Sequence, residues 1–244
     1  MRQSDISRDL RRLLPLLQQH LPVPVLLPLA SEEVDLEELR TAIQGFLEDL
    51  LAILDATEQQ IERPKDNETQ REYYSGKKKR HTIKTQVVVN AVGEVAAMTP
   101  GEAGKTSDIE IARRSQIVDV LPEDTHLYDD KGYVGLEKEV ACKTSPTDPE
   151  PVDTTADTAP QPRIIIHTPT KKPRGGELSP EQKEQNKQIG KVRILVEHVL
   201  GHLKNWRILA ERFRCALTIY TDVFRTIAGL LNFQKRARRR SVSA

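Results

Sequence analysis

The chain has 244 residues, enough for one sizeable core or one domain with a small attachment, and no apolar run approaches the length of a bilayer-spanning helix. Hydrophobic residues make up 37% and aromatics 4%, lean for a fully compact globule, so part of the chain is expected in loops. The net charge of +1 hides an asymmetry: residues 1–76 carry 8 Lys/Arg against 15 Asp/Glu, a balance of −7, and residues 171–244 carry 17 against 6, a balance of +11. A basic C-terminal part suggests a local patch for a polyanion. Cys142 and Cys215 lie far apart without a CxxC pattern, which argues against a zinc site or disulfide framework and fits a reducing cytoplasm. The N-terminus lacks a signal-peptide layout, so a cytoplasmic protein without membrane partners is expected.

In chain order, Leu10, Leu13, Leu14 and Leu17 fall at helical spacing and predict a helix over residues 1–20. Three prolines in Leu21–Ala30 end it and read as a linker. A Ser followed by acids opens a second helix at Ser31, running to about Asp49, which completes a helical N-terminal segment, 1–49. The apolar run Leu50–Asp55 is too short for periodicity to decide between helix and buried strand. The following stretch, to about Thr82, is polar and turn-rich. Thr85–Val89 and Glu94–Met98 read as a hairpin joined near Gly93. Ser107–Leu121 reads as a capped helix, and Thr125–Asp130 as a short strand ending in acids. Thr144–Pro162, rich in Pro, Thr and Asp, reads as a disordered loop inside the main domain, 50–234. Arg163–His167 is a β-branched strand. Ser179 and Pro180 start a long helix to about Asn205. Another helix covers roughly Leu217–Phe233, and 235–244, with its KRARRR run, is expected to be a flexible basic tail. The order predicts a mixed α/β domain.

Three acids stand out by position. Asp55 closes an apolar run, Asp130 closes a short strand before a Lys-Gly-Tyr turn, and Glu197 sits mid-helix. Together, carboxylates at strand ends suit hard divalent cations flanking a phosphate; singly, each is a cap, a turn residue or a surface charge. Arg193, Glu197, Leu200 and Lys204 form one helical stripe. Its cations would keep the carboxylate ionised or hold backbone phosphates, or the stripe is a solvated ion pair worth a few tenths of a kcal/mol. His198 and His202 have helical metal spacing but lack the HExxH arrangement and a third ligand. Lys77, Lys78, Lys79 and Arg80 follow Tyr73 and Tyr74, which suits a phosphate backbone with a base to stack on. A solvated charge run fits the same residues.

Five separated blocks, DATEQQIERP, YYSGKKKRHTIKTQVVVN, YDDKGYVGL, KKPRGGELSPEQKEQNKQI and VRILVEHVLGHLKNWRILAERFR, together resemble the DDE transposases of bacterial insertion sequences. The resemblance covers roughly Leu51–Phe233. It implies an RNase H-like fold, a mixed sheet flanked by helices. It also implies a triad of Asp55, Asp130 (or Asp129, one register earlier) and Glu197 that holds two Mg2+ or Mn2+ ions. The family's Y-R-E-K signature falls on Arg193, Glu197 and Lys204, with Gly190 at the tyrosine position, and implies DNA contact by Arg193 and Lys204. Metal-dependent DNA cleavage at transposon ends, strand transfer into target DNA, a homodimer in the active complex and nucleoid association follow from the resemblance as expectations. About fifty residues precede Asp55 without a convincing recognition helix, and Ser107-Asp108 replaces the family's His-Asp pair. These departures suggest an N-terminally truncated or drifting copy, for which a relic that only binds DNA is the alternative.

Overall fold

The computed structural model describes residues 3–29, 34–143 and 163–242. The stretch Thr144–Pro162, expected from the sequence to be a disordered loop, lies outside the described residues. In chain order the elements are α1 (Gln3–His20), β1 (Val25–Leu26), α2 (Leu36–Gln44), β2 (Leu51–Gln60), α3 (Asn67–Tyr73), β3 (Tyr74–Ser75), β4 (Arg80–Asn90), β5 (Val95–Met98) and β6 (Glu102–Ala103). They continue as α4 (Asp108–Arg114), α5 (Ile117–Val120), β7 (Thr125–Tyr128), α6 (Leu136–Lys143), β8 (Ile164–His167), α7 (Pro180–Lys204), α8 (Arg207–Ala210) and α9 (Tyr220–Val242).

The sheet runs β1-β5-β4-β2-β7-β8, with β3 and β6 against β4. β4 is antiparallel to both β2 and β5, whereas β2, β7 and β8 run parallel, as do β1 and β5. The period of two along a strand sends neighbouring side chains to opposite layers. Ile53, Val87 and Val89 pack with Val196, Val199 and Leu203 of α7 and with Phe224 and Ile227 of α9. Ala52, Leu54 and Val88 pack on the other face with Ile43 of α2, Ile117 of α5 and Leu136 of α6. Burial on both faces is why LLAIL carries no alternation in the sequence. The result is the α/β class expected, with the RNase H-like plan of a mixed sheet between helical layers.

Several elements differ from the sequence reading. Leu21–Ala30 is not a bare linker, because Val25 and Leu26 add an edge strand beside Ala97 and Met98. The polar stretch after Pro64 contains α3, capped by Asp66, whose carboxylate accepts from Thr69 N at 2.8 Å. Ser107–Leu121 is two helices, because Gln116 adopts a left-handed backbone (φ 51°) between them. The hairpin's first strand starts at Arg80, five residues earlier than apolar alternation showed. The KRARRR run is the last turns of α9 rather than a flexible tail. Two of its arginines, Arg236 and Arg239, bind the buried carboxylate of Glu94.

Candidate active site

Asp55 sits in the middle of β2, because the strand continues past the apolar run to Gln60. Gln59 sustains that extension: it is buried, and its amide donates to the carbonyls of Ile208 and Glu211. The last paired residues of β2 and its parallel neighbour β7 are Ile53 and Tyr128. Two residues further along each chain come Asp55 and Asp130, where β7 has ended and the sheet opens beside β2.

Each aspartate has one oxygen held by backbone and one free to face the opening. Asp55 Oδ1 accepts from Ala56 N at 2.8 Å. Asp130 Oδ1 accepts from Gly132 N at 2.8 Å and so caps the short turn Lys131–Tyr133. The remaining oxygens lie 3.5 Å and 3.7 Å from the same guanidinium nitrogen of Arg193. Burial pushes the Asp55 carboxyl up; the Ala56 N–H and Arg193 oppose this, whereas the charges of Asp130 and Asp108 add to it.

Asp129, the alternative register, is fully buried, and neither of its carboxylate oxygens makes a hydrogen bond of proper geometry. Burial pushes its pKa up to about 7, against the opposing pull of the neighbouring Thr168 hydroxyl and Arg193. Asp130, part-exposed and aimed at Arg193, is the aspartate that meets Asp55.

Helix α7 supplies the third wall. Its Ser179 and Gln182 form a reciprocal capping box with Pro180 at the first position. Ile189, Val196, Val199, Leu200 and Leu203 bury one stripe against the sheet. Arg193 lies at the edge of that stripe, which leaves its guanidinium only part-exposed and in need of counter-charges. Glu197 stands about 40° further round the helix at 3.6 residues per turn, and its side chain is exposed. Lys204 follows on the same flank. Partial burial lowers its pKa, the Lys78 ammonium lowers it further, and the Asp55 charge raises it.

Among the described residues, the structure does not gather Glu197 with the two aspartates into a metal-holding group. It does bring Asp55, Asp130 and Arg193 together, with Lys204 in electrostatic reach of Asp55 and Lys78. Lys77, Lys79 and Arg80 extend the same exposed turn, in which Arg80 donates to Gln60. Gly190 is not imposed by packing, because a Cβ there would meet nothing within 4 Å.

One participant escaped the sequence reading. Lys84 is buried in β4 and holds Asp108 at 2.9 Å and Glu58 at 3.7 Å, while Thr82 donates to Glu58. Asp108 thereby stands beside Gly132, in the turn that Asp130 caps, close enough to raise the pKa of Asp55. A lysine inside the run IKTQVVV was the available signal, since a buried ammonium requires acidic partners.

The donor set offers hard carboxylate oxygens where a cation already sits, which fits a divalent ion at Asp55 and Asp130. Among the described residues, no three His, Cys, Asp or Glu side chains gather at one metal-holding point.

Paired carboxylates beside a broken parallel strand pair, under a helix that brings a cation to both, define an RNase H-like domain of the DDE type. The chain belongs to the DDE superfamily endonuclease family, whose match covers residues 54–232 and so includes every candidate site residue. It is similar to a probable transposase for insertion sequence element IS702 from Microchaete diplosiphon, 31% identical over 185 residues. That alignment takes in 75% of this chain, which spans only 57% of the relative's length. No solved structure matches the chain.

Proposed function

We propose that this domain cuts DNA phosphodiesters with divalent cations and joins the freed 3′-hydroxyl to target DNA, as a transposase of an insertion sequence. The observation that carries the reading is the meeting of Asp55 and Asp130 at one cationic point beside the broken β2–β7 pair. Asp55 and Asp130 would hold Mg2+ or Mn2+, with Glu197 of α7 proposed as the third carboxylate on the family's pattern. Bound there, the ions would polarise the phosphate and lower the pKa of the attacking water or hydroxyl. Arg193, Lys204 and the Lys77–Arg80 turn would grip phosphates on either side and fix the strand in line for attack. The transposon ends and target would be the DNA partners, and a homodimer would bring two ends together.

A second reading has its own support. Arg193 fills the space between the aspartates, and no three-donor group is gathered among the described residues. Those facts favour a relic that holds DNA without cutting it. The deciding experiment is nicking of supercoiled DNA with Mg2+ or Mn2+. Nicking that is abolished by Asp55→Asn, Asp130→Asn and Glu197→Gln supports the enzyme. DNA binding with no nicking by the unmodified chain supports the relic.

A further inference from the structure

The turn carrying Lys77–Lys79 borders a groove outside the carboxylate site. The groove has a volume of about 930 Å3 and is lined by Arg63, Gln70, Arg71, Tyr74, His81 and Lys105, among others, with no carboxylate among its described lining residues. Such a volume suits a small organic group. Tyr74 is 43% exposed although it belongs to β3. Its orientation is fixed, because its backbone pairs with His81 and the His81 ring packs edge-on at 5.7 Å and 72°. Arg63 is steadied by Gln70, which accepts from its Nε at 2.9 Å and donates to the Pro64 carbonyl at 2.8 Å. Among the described residues, Arg63, Arg71 and Lys105 form no salt bridge.

A large aromatic surface held open among cations, in a groove whose described lining residues include no carboxylate, matches one chemistry well. A nucleobase offers a flat π-face to the ring, and its flanking phosphates each take a cation. An acidic peptide would use the cations and leave the ring unsatisfied. Gly76, which also lines the groove, leads directly into the Lys77–Arg80 turn.

We propose that this groove holds an unpaired nucleotide of the DNA, its base stacked on Tyr74 and its flanking phosphates on Arg63, Arg71 and Lys105. The inference rests on the DNA-processing reading above and assigns it a single-strand subsite. The test uses the full chain, fluorescein-labelled single-stranded and duplex oligonucleotides, and oligonucleotides carrying 2-aminopurine. Tyr74→Ala is expected to weaken single-strand binding roughly 5- to 100-fold and to abolish the stacking quench of 2-aminopurine. Duplex binding should be unchanged, and Tyr74→Phe should behave like the unmodified chain. The double change Arg71→Ala/Lys105→Ala should lower the salt slope of single-strand binding by about 1.4. Unchanged single-strand affinity in Tyr74→Ala overturns the subsite, as does displacement of the oligonucleotide by polyglutamate at equal charge concentration. Tyr74-dependent binding by a chain that never nicks DNA keeps the subsite and overturns only the cutting activity.

Discussion

Two carboxylates facing one opening repel each other, and here a single guanidinium relieves that repulsion. Asp55 and Asp130 each keep one oxygen on the backbone and turn the other to Arg193. Replacing Arg193 by Gln keeps much of the side chain's bulk and removes the charge, leaving the pair uncompensated. The expected cost is about 1 kcal/mol, which lowers the melting temperature by roughly 2–4 °C in a domain of this size. Mn2+ should restore it, because an ion that binds only the folded site stabilises by mass action. Melting curves with EDTA and with Mn2+ test this; a variant equally stable in both would remove the case for a shared cation site. The resemblance implied that Asp55 and Asp130 meet, but not that the Arg193 guanidinium lies against both of them. Helical spacing showed Arg193 one turn from Glu197, whereas its real partners come from β2 and from the turn after β7. Asp129 and Asp130 were equivalent in sequence, and only burial separates the enclosed carboxyl from the one facing the opening.

Elements with a strong local signature were legible. The capping box of α7, the β-branched β8 and the hairpin turn at Gly93 (φ 79°) are written in adjacent residues. The end of α9 was not, because its order comes from β5's neighbourhood more than a hundred residues earlier. Glu94 is 2% exposed and binds Arg236 at 2.9 Å and Arg239 at 2.5 Å, while Arg236 also covers the Phe46 ring at 5.1 Å. A run of five basic residues in six cannot announce that two of them have a buried partner. The arrangement predicts an asymmetry. Arg236→Ala/Arg239→Ala strands a buried carboxylate, while Glu94→Gln lets two part-exposed arginines return to water. The double arginine variant should lose about 1–3 kcal/mol, discounted for the exposure of the arginines, and Glu94→Gln less. Urea unfolding gives the order, and equal or inverted losses would show that Glu94 does not organise this helix end. In both variants, amide exchange should rise first over residues 235–242.

At the scale of the whole molecule, the family match begins at residue 54, yet the fold does not begin there. The sequence suggested a helical N-terminal segment over residues 1–49, and three separate contacts tie it to the elements that follow. Leu14 of α1 is buried in the core shared with α7 and α9, and Leu10 packs against that core. The Gln18 amide donates to the Asp222 carbonyl and the Thr226 hydroxyl of α9. The Asn232 and Arg225 side chains donate to the carbonyls of Pro22 and Pro24, which hold the chain where β1 completes the sheet edge beside β5. Gly229 allows this close approach, since a Cβ there would fall 2.7 Å from a Val23 methyl. Removing residues 1–29 would therefore bare the β5 edge and the apolar side of α9 together, and an unprotected edge strand beside exposed apolar surface promotes association. Leu14→Ala alone should cost about 2–5 kcal/mol by leaving a cavity. Light scattering and thermal melting of the truncated chain decide the point: aggregation or a clear loss of melting temperature is expected. A monomer that melts like the full chain would instead make residues 1–29 an attachment and the matched region a self-sufficient domain.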